Sequence, residues 1–196
     1  MIIKTMNQIK KPTLGLDLDG VIIDHTENKK KLAKDFGFEI ATNETPTDII
    51  KHKLPKDVWR KIQTLIYDDP VVGFSPPLVK GAAAGLELLS ETGFKFFLIS
   101  RRKSEGLPIE LLKRVGLWPR YFNKSNTYFV KDKEAKNEKA RELGVSAYID
   151  DQPSVLEKLL SVPKKILFDE YGVFPESKNY TKIKTWAEFL EILKSL

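Results

Sequence analysis

Two aspartates with one residue between them, Asp17 and Asp19, follow an apolar run near the start of the chain. Aspartate is depleted in β-strands, so a pair at the end of a predicted strand requires an explanation. Their spacing directs both side chains to the same side while the strand continues, and Gly20 then permits a sharp backbone turn. Taken alone, the pair could also be a turn or a helix cap.

Other polar groups follow predicted strands in the same way. Ser100 ends one apolar run, and Asp150 and Asp151 end another. Because ligands of open α/β sheets bind at the carboxyl ends of the strands, we expect these groups to meet Asp17 and Asp19 at one edge. A turn would explain Ser100, and a helix N-cap would explain the later acidic pair. Their coincidence at successive strand ends favours a functional site.

These acids would repel one another and have raised pKa values unless a cation neutralised them. The ligands would be oxygens, because the chain has no cysteine and only two histidines. Oxygen ligands alone are typical of Mg²⁺ rather than Zn²⁺. The sequence therefore predicts a magnesium site formed by Asp17, Asp19, Asp150 and Asp151.

The elements that would position these groups alternate between strands and helices. Short apolar runs predict strands at Thr13–Leu18, Phe94–Ser100, Thr127–Val130, Ser146–Ile149 and Lys165–Phe168. Amphipathic patterns with glycine or proline boundaries predict helices at Ala82–Thr92, Leu107–Val115, Glu134–Leu143, Pro153–Leu160 and Thr185–Leu193. This alternation predicts an α/β fold with a Rossmann-like, doubly wound parallel sheet covered by helices on both faces.

The segment between the first two predicted strands is too long for a simple crossover. It contains no strong strand pattern, and helix patterns lie at Asn28–Phe36, Thr47–His52 and Lys56–Tyr67. We therefore predict a core domain of residues 1–23 and 78–196. Residues 24–77 would form a small helical cap inserted after the first strand.

The composition excludes several classes of protein. With 41% hydrophobic and 31% charged residues, the chain is typical of a globular protein rather than a disordered one. It has no apolar run long enough for a membrane span or a signal peptide, and the lack of cysteine excludes a disulfide-stapled fold. We expect a cytoplasmic protein. The net charge of +6 favours anionic partners, although dispersed lysines would also serve solubility.

The motifs at the strand ends resemble those of the haloacid dehalogenase (HAD) superfamily of phosphohydrolases. The first HAD motif, DxDG[TV], is matched by Asp17–Val21, and the second, an apolar strand ending in Ser or Thr, by Phe96–Ser100. The last motif, an acidic pair after a strand, is matched by Tyr148–Asp151. A lysine before that pair completes the pattern. Lys136, at the start of a predicted helix, suits this position better than Lys139, which lies one turn further away.

The resemblance implies roles for these residues. Asp17 would be the nucleophile that forms an aspartyl-phosphate, and Asp19 would be the general acid and base. Ser100 and Lys136 would hold phosphoryl oxygens, assisted by backbone amides at Gly20. Within the superfamily, an aspartate at the position of Asp19 implies a phosphatase or phosphomutase rather than a dehalogenase or a transport ATPase.

The resemblance also implies how the metal would be bound. The ligands would be the Asp17 carboxylate, the backbone carbonyl of Asp19, and one or both of Asp150 and Asp151. Mg²⁺ held there would neutralise the charge that builds up on the phosphoryl group.

The cap would select the substrate by closing over the leaving group. Trp59, Tyr67 and Phe74 are candidates to contact it, although such aromatics also form the cores of caps. Arg101, directly after the second motif, could contact a polar or anionic group. The short cap and Trp186 resemble the cytosolic 5'-nucleotidase and deoxyribonucleotidase branch. The implied partner is a small phosphorylated metabolite, first of all a nucleoside monophosphate.

Three alternatives remain open at the level of sequence. The substrate could be a sugar phosphate or another small phosphoester. A nucleic-acid end phosphatase would suit the basic charge, but the chain has no basic-aromatic tract and no GxxxxGK[ST] motif. A non-catalytic phosphate-binding module is the third, and the presence of every motif position argues against it. We expect no membrane partner.

Overall fold

The computed structural model of the chain describes residues 11–195. They form a six-stranded parallel sheet in the order β3-β2-β1-β4-β5-β6. The strands are β1 (Thr13–Leu16), β2 (Lys95–Arg101), β3 (Thr127–Val130), β4 (Ala147–Asp150), β5 (Lys164–Phe168) and β6 (Thr181–Ile183). The strand order reverses at β1, which places this strand at the switch point where such sheets bind ligands. The predicted fold class is confirmed.

Helices cover both faces of the sheet. They are α5 (Ala82–Glu91), α6 (Gly106–Arg114), α7 (Lys133–Glu142), α8 (Pro153–Leu156) and α9 (Trp186–Leu193). One face is built around Leu14, Leu16 and Leu98, and the other around Ile99 and Tyr148. The central strands are therefore buried on both sides, which explains why their sequences are apolar without interruption.

Two glycines permit close approaches that hold this core together. A Cβ at Gly15 would lie 2.2 Å from the Tyr148 ring, so β1 needs a glycine where that ring crosses it. A Cβ at Gly85 would lie 2.2 Å from the ring of Trp186. Trp186 donates from Nε1 to the carbonyl of Val21 at 2.8 Å. The last helix therefore anchors the loop that follows β1.

The segment between β1 and β2 consists of helices with an apolar cluster of their own. They are α1 (Thr26–Asp35), α2 (Thr47–Lys53), α3 (Lys56–Asp68) and α4 (Pro70–Gly73), with a 3-10 turn at Thr42–Glu44. Asp48 on α2 accepts hydrogen bonds from the backbone N–H (2.9 Å) and the hydroxyl (2.7 Å) of Ser154 in the core. The division into a core and a cap domain stays a prediction, and residues 1–10 and 196 lie outside the described residues.

Several boundaries differ from the sequence-based predictions. β1 ends at Leu16 rather than Leu18, because the backbone begins its turn there, and α8 ends at Leu156 rather than Leu160. Two elements were not predicted. β6 is a three-residue edge strand with a polar sequence, and α4 is a single turn whose first N–H groups bond to Asp69. Within residues 11–195, no helix combines the length and apolar character needed to cross a bilayer.

Candidate active site

Asp17 lies at the carboxyl end of β1, where its N–H donates to the carbonyl of Ile149 on β4 at 3.1 Å. The chain then turns back on itself, and the N–H of Gly20 donates to the carbonyl of Ile23 at 2.8 Å. Gly20 has a positive φ of 82°, which glycine adopts without strain. A Cβ there would lie 2.4 Å from Asp151 Oδ2. Glycine therefore allows the turn and leaves room for the Asp151 carboxylate.

Lys136 joins the first and last motifs. Its buried Nζ donates to Asp17 Oδ1 and to Asp150 Oδ2, both at 2.7 Å. Burial alone would lower the pKa of Lys136, but the charges of Asp150 and Asp17 raise it well above its ordinary value. Lys139 pairs instead with Glu142. The structure thus brings Lys136, and not Lys139, to the strand ends.

Three carboxylates form a cluster suited to a cation. One oxygen from each of Asp17, Asp150 and Asp151 lies within 4.8 Å of the others, and all three residues are buried. Burial raises the pKa of Asp17 to about 6 against the opposing charge of Lys136, and the charge of Asp150 adds to the rise. Burial and Asp150 also raise the pKa of Asp151 well above its ordinary value. Lys136, together with Lys29 near Asp151, does not bring the pKa values of Asp17 and Asp151 back to their ordinary range, and this all-oxygen set fits a hard divalent cation.

The carboxylate of Asp19 is held by other groups. Its Oδ1 accepts from His25 Nε2 at 2.7 Å and from Arg102 Nη2 at 2.5 Å. Burial alone would raise the pKa of Asp19, but the Arg102 charge and the His25 hydrogen bond outweigh it and hold the pKa at about 2. Burial lowers the pKa of His25 despite Asp19, so the imidazole is neutral and donates from Nε2. Asp19 is therefore an anchored, ionised carboxylate.

Tyr67 of α3 packs against both groups that hold Asp19. The Arg102 guanidinium lies 4.4 Å from the centre of the Tyr67 ring and donates to the Tyr67 carbonyl at 3.4 Å. The ring of His25 meets the Tyr67 ring edge to face, with centroids 5.6 Å apart. The helical segment thereby contacts the environment of Asp19 directly.

Ser100 and Arg101 lie at the end of β2. Ser100 is buried with 1% of its surface exposed, and it lines the same cavity as Asp17 and Asp19. Arg101 donates to Gln152 Oε1 at 3.0 Å, and Gln152 donates in turn to Asp151 Oδ1 at 3.3 Å. These bonds connect the end of β2 to the acidic pair after β4.

A cavity of about 710 Å³ opens between α3 and the carboxyl ends of the strands. This volume is within the usual range for sites that bind small molecules. The lining residues from the helical segment are Thr47, Arg60, Gln63, Thr64, Tyr67 and Asp68. Those from the core are Asp17, Asp19, Ser100, Arg101, Arg102, Lys103, Phe129, Val130, Lys131 and Gln152.

Comparison with known proteins finds similar structures. No model of a known protein family matches the chain. A HAD family hydrolase of Deinococcus radiodurans, solved with bound phosphate and sodium, superposes with a TM-score of 0.60 at 16% identity, covering 94% of this chain and 96% of that one. A predicted phosphatase of Clostridium acetobutylicum superposes with a TM-score of 0.60 at 17% identity, covering 95% of this chain and 100% of that one. YfnB of Bacillus subtilis, a "putative HAD-hydrolase" bound to magnesium, superposes with a TM-score of 0.60 at 14% identity, covering 94% of this chain and 99% of that one. The chain has the HAD fold.

One curated protein adds a weaker similarity in sequence. "Putative nucleotidase OB0422" of Oceanobacillus iheyensis is 28% identical over 116 residues, which are 59% of this chain. The match spans 61% of that relative, less than two thirds of its length.

The candidate site brings most of the predicted residues together. Those at or beside the cavity are Asp17, Asp19, Gly20, Tyr67, Ser100, Arg101, Lys136, Asp150 and Asp151. Trp59 is not among them. It is buried in the apolar cluster of the helical segment with Ile62 and Ile66, whereas Tyr67 packs against the edge of that cluster and also lines the cavity. The predicted contact of Trp59 with a substrate is therefore wrong for this structure.

Several residues of the candidate site had not been given a role in the sequence-based predictions. His25 and Arg102 hold Asp19. Lys29 is buried near Asp151 and donates to the carbonyl of Thr45 at 3.0 Å. Their roles depend on how the helical segment folds back over the sheet. The cavity face of α3 could have been predicted from the sequence, because residues 60, 63, 64 and 67 recur at helical spacing beside the apolar stripe of residues 59, 62 and 66.

Proposed function

We propose that the chain is a Mg²⁺-dependent phosphomonoester hydrolase that acts through an aspartyl-phosphate on Asp17. The observation that carries this proposal is the separation of two neighbouring acids. Asp17 belongs to the cluster with Lys136 and the acidic pair. Asp19, two residues later, is held apart by Arg102 and His25. Two carboxylates in different environments can perform two different tasks.

In the first step, a carboxylate oxygen of Asp17 attacks phosphorus and the ester P–O bond breaks. Lys136 fixes the nucleophile, because it binds Asp17 Oδ1 and is itself fixed by Asp150. The departing oxygen takes a proton from Asp19. Asp19 is ionised in the free protein, so it takes up this proton from solvent as the substrate binds, when the anionic substrate weakens the hold of Arg102.

In the second step, water attacks phosphorus and the bond from phosphorus to Asp17 breaks. Asp19 accepts a proton from the water, so inorganic phosphate is released, the Asp17 carboxylate is restored and Asp19 returns to its protonated form. Ser100 is placed to bond a phosphoryl oxygen, since it is buried at the end of β2 and lines the cavity.

The proposed cofactor is Mg²⁺. The residues that would hold it are Asp17, Asp150, Asp151 and the backbone carbonyl of Asp19. When bound, it supplies positive charge that offsets the negative charge of the phosphoryl group and the clustered acids. This ligand set agrees with the raised pKa values of Asp17 and Asp151, which a cation would lower.

The proposed substrate is a small phosphorylated metabolite, with a nucleoside monophosphate as the first class to test. The partial similarity to a protein named as a nucleotidase supports this class. Tyr67 and Phe129 line the cavity and offer aromatic surfaces to a base. A sugar phosphate is the second candidate, because Gln63 and Thr64 offer polar groups to hydroxyls.

The test is phosphate release from p-nitrophenyl phosphate with Mg²⁺ and with EDTA, followed by a panel of nucleotides and sugar phosphates. We expect release that depends on Mg²⁺ and is lost in Asp17→Asn. Asp35→Asn is the matched control, since Asp35 is exposed on α1 and remote from the cavity. Wild-type protein that releases no phosphate with Mg²⁺ would contradict the proposal and favour a non-catalytic phosphate-binding module.

A further inference from the structure

The cavity carries more positive charge than the reaction at Asp17 uses. Its cationic lining residues are Arg60, Arg101, Arg102, Lys103 and Lys131. Arg102 is engaged with Asp19, and Lys103 pairs with Asp68 at 3.4 Å. Among the described residues, neither Arg60 nor Arg101 has a carboxylate partner within ion-pair distance. Lys131 reaches only the neighbouring Asp132, at 3.9 Å. Arg60 on α3, Arg101 at the end of β2 and Lys131 after β3 therefore have charge that no close ion pair offsets, although Arg101 also donates to the neutral side chain of Gln152.

The position of Arg60 on α3 indicates how long a ligand in the cavity must be to reach it. Arg60 and Tyr67 lie on the same face of α3, and a helix rises about 1.5 Å per residue, so they are separated by about 10 Å along its axis. Trp59 and Ile62 are buried on the neighbouring face of α3, which fixes the rotation of the helix and leaves the face of Arg60 and Tyr67 towards the cavity. Tyr67 marks the acid/base end, because it packs on the groups that hold Asp19. Arg60 marks the far end.

We propose that the site takes phosphomonoesters whose leaving group carries a second phosphate, bound between Arg60 of the helical segment and Arg101 and Lys131 of the core. The inference rests on the proposed phosphatase function and specifies its substrate class. Gln63 and Thr64 lie between the two ends of the stripe on α3 and suit a hydroxylated or heteroaromatic body. Sugar bisphosphates and nucleoside bisphosphates have this composition.

The reason is electrostatic. Lys136, Ser100 and the proposed cation already serve the phosphoryl group that is transferred. A neutral leaving group would leave the remaining cationic side chains without a partner, whereas a second phosphate would form charge-assisted hydrogen bonds with them. A short dianion such as phosphoglycolate places its second charge too close to the first to reach Arg60.

The test compares kcat/KM of the full chain with Mg²⁺ in matched pairs of substrates. One pair is fructose 1,6-bisphosphate and fructose 6-phosphate, and the other is adenosine 3',5'-bisphosphate and adenosine 5'-monophosphate. We expect the bisphosphate to be favoured by about tenfold in at least one pair, which corresponds to about 1.4 kcal/mol. We expect kcat/KM for phosphoglycolate to show no such advantage over the two monophosphates. We expect the preference for the bisphosphate to shrink at high salt.

Arg60→Gln and Arg101→Gln assign the preference to the proposed residues. Each should lower kcat/KM for the bisphosphate more than for its monophosphate partner, bringing the ratio towards one. Lys56→Gln is the matched control, because Lys56 is an exposed residue of the same helix that does not line the cavity. It should leave the ratio unchanged.

Equal rates for the bisphosphate and monophosphate in both pairs would overturn the inference. So would an unchanged ratio in both arginine variants, or an equal preference for phosphoglycolate. Failure of the phosphatase proposal looks different, because no substrate, including p-nitrophenyl phosphate, would be turned over. In that case the dissociation constants of fructose 1,6-bisphosphate and fructose 6-phosphate, measured by calorimetric titration, decide the inference. Tighter binding of the bisphosphate supports it, provided that Arg60→Gln weakens that binding.

Discussion

Arg102 donates to Asp19 Oδ1 at 2.5 Å, and this is the same oxygen that accepts from His25 at 2.7 Å. With both bonds on one oxygen, Oδ2 is the atom left for exchange of a proton with a leaving group or water. The pair therefore separates the anchoring of the carboxylate from its chemistry. Arg102 is also buried against Tyr67, so the helical segment stabilises this arrangement.

Arg102→Gln should reduce activity in a way that depends on the leaving group. A poorly placed Asp19 matters most when the departing oxygen needs a proton, and general acid catalysis contributes about 10²- to 10⁴-fold. We expect kcat/KM for an alkyl phosphate such as glycerol phosphate to fall at least about tenfold more than that for p-nitrophenyl phosphate. Arg141→Gln, at an exposed position on α7, is the control. An equal fall for both substrates would show that Arg102 does not act through Asp19.

Replacement of Lys136 should affect both stability and activity. Lys136→Met leaves Asp17 and Asp150 without their shared buried partner, and breaking a buried ion pair in this way costs about 3–5 kcal/mol. Urea unfolding measures this loss, and phosphate release should fall to background. Lys139→Met should change the free energy of unfolding by about 1 kcal/mol or less, because it removes a surface pair with Glu142 and a partly exposed contact over the Tyr128 ring. Similar losses in the two variants would rule out the proposed role of Lys136.

The low pKa of Asp19 predicts how its contribution to stability varies with pH. Its pKa is about 2 in the folded chain, against an ordinary value of 3.8, so the unfolded chain binds the proton more readily. The stabilisation is therefore complete above about pH 4 and is lost as the pH falls towards 2. The free energy of unfolding of the wild type, relative to Asp19→Asn, should decline across that interval. If the difference in the free energy of unfolding between the wild type and Asp19→Asn stays constant from pH 5 to pH 2.5, the low pKa of Asp19 is contradicted.

Mg²⁺ should stabilise the protein more at pH 7 than at pH 5. Protons compete with the cation for Asp17, whose pKa is raised to about 6, and for Asp151. Saturation at 100 times the dissociation constant would add about 2.7 kcal/mol. Thermal unfolding with and without Mg²⁺ measures the shift in Tm, which Asp151→Asn should diminish and Asp35→Asn should preserve. A larger shift at pH 5 than at pH 7 would argue against metal binding at these acids.

The sequence was sufficient for the sheet and for the groups at its strand ends. Parallel strands present their carboxyl ends at one edge, so Asp17, Ser100 and Asp150 could be grouped from their positions alone. The partners of Asp19 could not be grouped in this way, because His25 and Arg102 are 77 residues apart in sequence. They meet only when the helical segment packs over the sheet. Their convergence is a tertiary effect that no local pattern records.

The choice between Trp59 and Tyr67 shows a different limit. Both are aromatic residues on α3, and composition does not distinguish them. Their positions on the helix do, because Trp59 aligns with Ile62 and Ile66 inside the apolar cluster, whereas Tyr67 lies at the edge of that cluster and also lines the cavity. A residue-by-residue analysis of helical periodicity would have assigned Trp59 to the interior.

The most direct test of the central claim is detection of a phosphoryl group on Asp17. The protein is mixed with p-nitrophenyl phosphate and Mg²⁺, quenched in acid within one turnover, and digested for mass spectrometry. Asp19→Asn should accumulate the intermediate, because this substrate needs little acid catalysis to form it but its hydrolysis lacks the base. We predict the mass of one phosphoryl group on the peptide that contains Asp17, removable by hydroxylamine and absent from Asp17→Asn. Phosphate release without any covalent phosphate on Asp17, or with undiminished rate in Asp17→Asn, would contradict the account.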